Sequence, residues 1–311
     1  MVDSECIALL SSLKTEMKSS KVLFLLLYVF LLVTCKKKEE GTTPQVKEDY
    51  HTGTLTIYTD DAFRSLSEAI AEVYMIHYPD SKIDVKVEKE DLAFLRLLNR
   101  EGSLVVMGRD LSQEETTEFE RMLDMKANPG YFAADAVVFI VPKSSSRTSI
   151  DYNDIKLALE SEEKNMVFDG TNAGNLNYIA QKLDKKPNEL KFSTISGNEN
   201  VVKEIAQRPN RIGVVSLNTL SRPYSEKAKE LRELVKVLPV VKDGKSYAPE
   251  VHNLRTQNYP FTRMVYFLTN EQGFGMANGV MRFASSQKGQ MVVQKEGLQP
   301  YFLFTREVEM R

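Results

Sequence analysis

Cysteine is nearly absent from this sequence of 311 residues, which contains only Cys6 and Cys35. Both lie within the first 35 positions, so the rest of the chain can form no internal disulfide. Its stability must therefore come from core packing. Secretion permits disulfides without requiring them, so this scarcity does not argue against an extracellular or periplasmic location.

An excess of either charge is also absent. The chain has 41 Lys and Arg against 43 Asp and Glu, a formal net charge of −2. Proteins that bind nucleic acid usually carry a clustered basic excess. We therefore expect no nucleic-acid partner.

The sequence motifs of common enzymes and metal sites are missing as well. There is no Gly-x-Ser-x-Gly elbow, no His-Glu-x-x-His helix and no complete Gly-x-x-x-x-Gly-Lys-Ser/Thr phosphate loop, since the GKS at 244–246 has Pro239 in place of the first glycine. His51, His77 and His252 are far apart, which is typical of surface residues rather than metal ligands. The glycine-rich segment 273–279 (GFGMANG) lacks the spacing of a dinucleotide loop. We predict a non-enzymatic protein without a metal or a cofactor.

The apolar run near the start of the chain is too short to span a membrane. It covers twelve residues, 22–33, whereas a membrane-spanning helix needs ~20. Lys18 and Lys21 precede it and a polar CKKKEE segment follows, a pattern typical of a secretory signal peptide. Segment 32–35 (LVTC) resembles the lipobox of bacterial lipoproteins, in which the cysteine is lipidated and becomes the new N-terminus. The alternative is that Cys35 is an incidental thiol at the end of an uncleaved anchor helix.

The predicted cleavage leaves a chain of two-lobe size. Residues 1–34 form the predicted signal peptide, with Met17 as an alternative start, and their removal from 311 residues would leave 277. Residues 35–51 are rich in Lys, Glu, Thr and Gly and are predicted to be a lipidated, solvated tether. The folded part is predicted to begin near Thr52 and is long enough for two lobes with real cores.

Strand and helix patterns alternate from residue 52 onward. Residues 62–77 carry apolar side chains at spacings of three and four, which is typical of one buried helical face. Ser112 and Glu115 match a capping box. Strands are predicted at 54–58, 83–87, 104–107, 136–141, 166–168, 212–216, 235–241 and 261–268, and helices at 62–77, 92–98, after 112, 152–160, 173–183, 200–207, 225–235, 277–285 and 288–295. This alternation indicates the α/β class.

Six short segments between residues 53 and 300 have a recognisable order. They are 53–66 (GTLTIYTDDAFRSL), 104–115 (LVVMGRDLSQEE), 135–142 (DAVVFIVP), 211–216 (RIGVVS), 259–263 (YPFTR) and 289–300 (GQMVVQKEGLQP). Together they resemble the phosphate-type periplasmic solute-binding proteins of ABC transporters. The resemblance implies a type II periplasmic-binding fold, in which two α/β lobes joined by two crossover strands close on a ligand.

The resemblance also implies a domain layout. With crossings near Asp135 and Tyr259, residues 52–135 and 259–311 form lobe one, and residues 136–258 form lobe two. The ligand then binds in the mouth between the lobes, where helix N-termini point inward.

Two loops and one arginine are the implied binding site. Backbone N–H groups and the positive end of the helix dipole hold an anion at helix starts. The candidate residues are Asp60, Asp61, Ala62 and Phe63 in lobe one, Asn172, Ala173, Gly174 and Asn175 in lobe two, and Arg109 at a strand end.

Both loops depart from the family pattern. In the family they are rich in Ser, Thr and Gly and the second is led by an arginine, whereas here Asp60 and Asp61 replace hydroxyl residues and Asp169 stands near the arginine position. Two like charges ~4 Å apart repel by roughly 1 kcal/mol in water and about 4 kcal/mol at an effective dielectric near 20. Arg109 and Arg263 are the cations available to offset this. We therefore expect weak or no phosphate binding.

Structural roles are the competing interpretation of the same residues. Helix caps and turns would account for four of them without a ligand: Asp60, Asp61, Asn172 and Asn175. Arg109 would pair at the surface with Asp110 or Glu114. Arg263 would be structural and Phe63 would belong to the core.

Two functions follow from these patterns. The first is a non-catalytic, periplasm-facing lipoprotein of the bacterial envelope, monomeric and membrane-anchored through Cys35, that binds a small polar or anionic solute for an uptake system. The second is a protein-interaction or sensing lipoprotein that retains the fold. A transporter or another envelope protein is the expected partner.

Lipidation of Cys35 is directly testable. Intact-mass analysis of membrane-extracted protein should show diacylglycerol on a chain that begins at Cys35, because this cysteine ends an apolar run of signal-peptide length. Retention of residues 23–33, or a Cys35→Ser protein that stays in the membrane like the wild type, would contradict the prediction.

Overall fold

A computed structural model describes residues 49–303. The predicted signal peptide, Cys35 and most of the tether lie outside the described residues, as do residues 304–311 of lobe one. Within residues 49–303, no helix combines the length and the apolar character needed to cross a membrane.

Strands and helices alternate along the chain. The first part consists of β1 (Gly53–Thr59), α1 (Arg64–His77), β2 (Ser81–Val87), α2 (Glu90–Leu98), β3 (Leu104–Met107), α3 (Gln113–Leu123) and β4 (Gly130–Pro142). The middle part consists of β5 (Ile150–Asp151), α4 (Tyr152–Glu160), β6 (Met166–Phe168), α5 (Gly174–Lys182), β7 (Ser193–Thr194), α6 (Asn198–Ile205), β8 (Ile212–Ser216), α7 (Asn218–Ser221), α8 (Glu226–Leu234), β9 (Val235–Leu238), β10 (Val240–Lys242), β11 (Lys245–Tyr247) and α9 (Val251–Arg255). The last part consists of β12 (Thr262–Thr269), α10 (Met276–Ser285), α11 (Gln287–Lys295) and β13 (Gln299–Pro300). Short 3-10 turns lie at Asp61–Phe63 and Pro187–Glu189.

The predicted α/β class is confirmed, and the strands are arranged in two lobes. In lobe one the strand order is β2-β1-β3-β12-β4, and in lobe two it is β4-β8-β6-β7. Parallel pairs (β1–β2, β1–β3, β6–β7 and β6–β8) are combined with antiparallel ones through β4 and β12. β10 pairs with β5 and β11 in a separate small sheet.

Each lobe has its own apolar core. In lobe two, helices α4, α5 and α6 bury Ile155, Ile179 and Val202 with Phe139 and Phe168. In lobe one, buried side chains lie on both faces of the sheet, with the larger cluster under α1, α10 and α11 and a smaller one under α2 and α3.

Strand β4 belongs to both lobes. Its first half pairs with β12 and β13, and from Val137 onward its second half pairs with β8 and β9. Strand pairing is therefore continuous from one lobe to the other in one ten-stranded sheet, contrary to the expectation that only the crossovers near Asp135 and Tyr259 connect the lobes. The second connection touches β4 at the same point, because the Val137 N–H donates to the Phe261 carbonyl (3.0 Å) and the Tyr259 hydroxyl donates to the Val137 carbonyl (3.0 Å).

A fully buried ion pair fixes this junction. The Arg263 guanidinium on β12 lies 2.8 Å from the Asp135 carboxylate on β4, and both side chains have 0% exposure. Asp135 also accepts the Ser216 hydroxyl (2.9 Å) and the Asn218 N–H (3.1 Å). Asp135 thereby links β4, β8, β12 and the start of α7.

Removing the Asp135 carboxylate should strongly destabilise the fold. We expect Asp135→Ala to lower the free energy of unfolding by about 3–5 kcal/mol, because it leaves Arg263 buried and unpaired. The double variant Asp135→Ala/Arg263→Met should lose less than the sum of the two single variants. Urea denaturation measures both. A loss below about 1 kcal/mol for Asp135→Ala, or full additivity, would contradict this account.

Candidate functional site

The Asp60 carboxylate is the point on which three backbone N–H groups converge. Asp60 follows β1 and is fully buried. Its Oδ1 accepts the Ala62 N–H (2.9 Å), and its Oδ2 accepts the N–H groups of Glu90 (3.1 Å) and Gly174 (3.2 Å). Glu90 and Gly174 are the first residues of α2 and α5, so one carboxylate serves helix starts in both lobes. A bound anion is favoured at such a place for the same electrostatic reason.

Asp61 connects the lobes a second time. Its Oδ2 accepts the backbone N–H of Asn198 (2.7 Å) and its side-chain Nδ2 (3.1 Å). Asn198 is buried at the start of α6 in lobe two. Asp60 is thus the capping residue of the 3-10 turn that follows it, and Asp61 holds a helix start across the mouth.

A third carboxylate, Asp169, is buried at the end of β6. It accepts from the Lys89 ammonium (3.2 Å) and from the side-chain amides of Asn175 (3.0 Å) and Asn198 (3.1 Å). Lys89 belongs to lobe one, and its ammonium also donates to the Asp169 carbonyl (2.7 Å). Burial, and then the nearby charge of Asp60, raise the pKa of Asp169 to about 6, although Lys89 opposes the shift.

Arg109 is buried among carboxylates. It pairs with Glu90 (2.8 Å), Glu115 (2.7 Å) and Asp91 (3.3 Å), and its side chain is 8% exposed. Its carboxylate partners therefore differ from Asp110 and Glu114, the ones considered from the sequence. Burial raises the pKa of Glu90 above its usual range, and Arg109 counteracts part of that effect. The positive charge of Arg109 is therefore compensated by carboxylates of the protein itself.

Arg263 is likewise committed to protein groups. Besides Asp135 it donates to the Asn175 Oδ1 (2.9 Å), and its guanidinium lies 4.5 Å from the centroid of the Phe63 ring. Phe63 is fully buried in the core of lobe one. Both arginines considered as anion ligands thus compensate internal charges.

The remaining candidate residues surround the same contacts. Ala173 precedes α5 without a side-chain cap, and the Asn172 carbonyl faces the Asp91 N–H at 3.5 Å. A Cβ atom on Gly174 would lie 2.9 Å from a Glu90 carboxylate oxygen, so a larger residue there would force the Glu90 carboxylate to shift. Ala62 is buried, and its N–H is used by Asp60.

Four residues of this arrangement were not among the candidate site residues predicted from the sequence. They are Lys89, Glu90, Asn198 and Ser216. Lys89 and Glu90 begin a charged KED run ahead of an apolar helix, a pattern equally typical of an ordinary solvated helix start. Among residues 49–303, no group of His, Cys, Asp and Glu is arranged to hold a metal ion.

Two cavities are lined by residues of both lobes. One has a volume of about 160 Å³ and lies between Asp61 and Ser65 of lobe one and Asn218 and Arg222 of lobe two. The other, about 740 Å³, lies between Arg109 and Asn172.

Comparison with known proteins agrees with this architecture. A model described as "PBP superfamily domain" matches residues 41–288, and the chain belongs to that superfamily. No curated protein matches the sequence significantly.

Solved structures show the same fold. A putative phosphate ABC transporter substrate-binding protein from Clostridium perfringens, solved with bound phosphate, is 18% identical, with a TM-score of 0.66 over 80% of this chain and 100% of that chain. An ABC-type phosphate transport receptor from Vibrio cholerae is 13% identical, with a TM-score of 0.60 over 79% and 99%. The reduced regulatory domain of OxyR2 from Vibrio vulnificus is 10% identical, with a TM-score of 0.50 over 76% and 97%. The resemblance found in the sequence, and the type II fold it implied, are confirmed.

The raised pKa of Asp169 makes a testable contribution to stability. The folded state holds this proton more tightly than the unfolded chain, so the free energy of unfolding should fall by up to about 3 kcal/mol as the pH rises from about 4 to about 6. Asp169→Asn should flatten this part of the profile, whatever its absolute stability. Urea melts across this pH range measure it, with the exposed Asp154→Asn as control. An identical pH slope in wild type and Asp169→Asn would refute the assignment.

Proposed function

We propose that this chain is a non-catalytic lipoprotein of the bacterial cell envelope, periplasm-facing and anchored through Cys35, that captures a small polar or anionic solute between its lobes for an uptake system. Residues 1–34 are its signal peptide and 35–51 its tether. Residues 52–135 with 259–311 form lobe one, and 136–258 form lobe two. Its site for inorganic phosphate is degenerate.

One observation carries this proposal: the Asp60 carboxylate already accepts the N–H groups of Ala62, Glu90 and Gly174. These are donors of the kind that would hold an anion at helix starts. A phosphate placed there must displace a buried carboxylate or lie against it. A pair of like charges ~4 Å apart costs about 4 kcal/mol at an effective dielectric near 20.

The nearby cations do not offset this cost. Lys89 is paired with Asp169, Arg109 with Glu90, and Arg263 with Asp135. Drawing Lys89 or Arg109 to a phosphate would leave a buried carboxylate unpaired, which is itself costly. Arg263 keeps one buried donor, Nη1, without a partner among the described residues, but its charge is paired with Asp135. This supports solute capture beside the Asp60 contacts rather than at them.

A second candidate function is a protein-interaction or sensing lipoprotein with the same fold. It is favoured by the same contacts, since Asp60, Asp61 and Asp169 each bond directly to a residue of the other lobe. Thermal-shift screening of the soluble part, from Lys36 onward, separates the two functions. A bound solute at 100 times its dissociation constant adds ~2.7 kcal/mol of stability, whereas a pure interaction module responds to no small molecule.

Phosphate affinity tests the degenerate site. Titration calorimetry at neutral pH should give a dissociation constant for phosphate in the millimolar range or weaker. Asp60→Ser should bind phosphate at least tenfold more tightly, because it removes the competing charge and frees backbone donors, each worth about 1.5–3 kcal/mol to a charged acceptor.

The control for that titration is Asp84→Ser, an exposed position on β2 of the same lobe, which should not gain affinity. Circular dichroism verifies that both variants are folded. Micromolar or tighter binding by the wild-type protein would show that the proposal of a degenerate site is wrong.

A further inference from the structure

The smaller of the two cavities between the lobes has an unusually polar lining. Its volume is about 160 Å³, and its lining includes Asp61, Ser65, Asn198, Asn218, Thr219 and Arg222. Asp61 and Ser65 belong to lobe one and the other four to lobe two. A solute in this cavity would therefore touch both lobes.

Two residues that line the cavity each carry a buried donor atom with no hydrogen-bond partner among the described residues. These atoms are the Asn218 Nδ2 and the Arg222 Nε. Asn218 is 1% exposed, and its Oδ1 accepts the Ser65 hydroxyl (3.0 Å), which leaves the amide nitrogen as the unused end. Buried donors are almost always paired, so two at one cavity indicate a missing acceptor.

The charges around the cavity are compensated except at two points. Arg64 pairs with Glu68 (2.8 Å) and Lys227 with Glu199 (2.6 Å). Arg222 has no ion pair or side-chain hydrogen bond among residues 49–303.

Asp61 is the second charged residue at this cavity without an ion pair among the described residues. It uses Oδ2 for Asn198, while its Oδ1 has no partner in the described part of the chain. The cavity thus offers a cation and an amide donor from lobe two, and a carboxylate oxygen from lobe one.

We propose that this cavity is the solute site and that its ligand is a small zwitterion of the amino-acid type. The ligand carboxylate accepts from the Arg222 guanidinium and the Asn218 amide, and the ligand ammonium donates to Asp61. A net-neutral zwitterion matches a lining with three basic and three acidic side chains. The volume of about 160 Å³ accommodates a small amino acid such as glycine, alanine or serine. This inference rests on the proposed solute-binding function.

Titration of the soluble protein from Lys36 onward with defined probes tests the inference. Glycine, L-alanine and L-serine should bind and raise the melting temperature. Acetate, methylammonium and inorganic phosphate, which each lack one of the two charged ends, should bind at least tenfold more weakly.

Variants locate the binding. Arg222→Met and Asp61→Asn should each weaken amino-acid binding at least tenfold, equivalent to about 1.4 kcal/mol. Arg147→Met and Asp84→Asn, both at exposed positions, should bind like the wild type. Arg222→Lys, which keeps the charge, should retain part of the affinity if Arg222→Met folds poorly.

The outcomes separate the inference from the proposed function. Binding of a sugar or an oxyanion instead of amino acids, or amino-acid binding unaffected by Arg222→Met and Asp61→Asn, overturns the inference and leaves solute capture standing. If the wild-type protein binds none of these probes and no member of a wider solute panel, both the inference and the proposed solute-binding function are overturned.

Discussion

The buried Asp60 carboxylate organises the centre of the molecule. It caps the turn that follows β1 and takes one further N–H from the start of α2 and one from the start of α5. A charged oxygen in this position satisfies donors that water or a ligand would otherwise have to satisfy. The two lobes thereby share an acceptor that belongs to the chain itself.

Neighbouring residues are arranged around this charge. The Glu90 N–H donates to Asp60, and the Glu90 carboxylate accepts from the Gly108 N–H (3.1 Å) and from the Arg109 guanidinium (2.8 Å). A side chain at the Gly174 position would in turn push against the Glu90 carboxylate. The retention of that glycine, the burial of Arg109 and the position of Lys89 beside Asp169 thus belong to one network of internal charges.

Local sequence signals predicted most of the elements. The helix 152–160 and the strand 166–168 have the predicted bounds, and both hydrogen bonds of the capping box at Ser112 and Glu115 are present. The predicted strand 235–241 is two strands, because Pro239 has no N–H to continue a ladder. Strands of two or three residues, such as β7 and β13, were missed because only distant pairing defines them.

The candidate site was less predictable than the fold. Capping by Asp60 followed from its place before a helix, but its bond to Gly174 spans 114 residues of sequence. The contact of Asp61 with Asn198 spans 137. Arg109 lies beside Asp110 in the sequence yet pairs with Glu90, since the fold turns its side chain inward. Periodicity carries no information about such contacts between lobes.

The shared strand β4 has a mechanical consequence. Its pairing partners change between Ala136 and Val137, and Val137 is also where Tyr259 and Phe261 of the second connection attach. Both connections between the lobes therefore lie next to each other at Val137. Separation of the lobes is therefore expected to be a hinge rotation about this part of β4. Sliding of one lobe along the other would break hydrogen bonds between β4 and its partner strands.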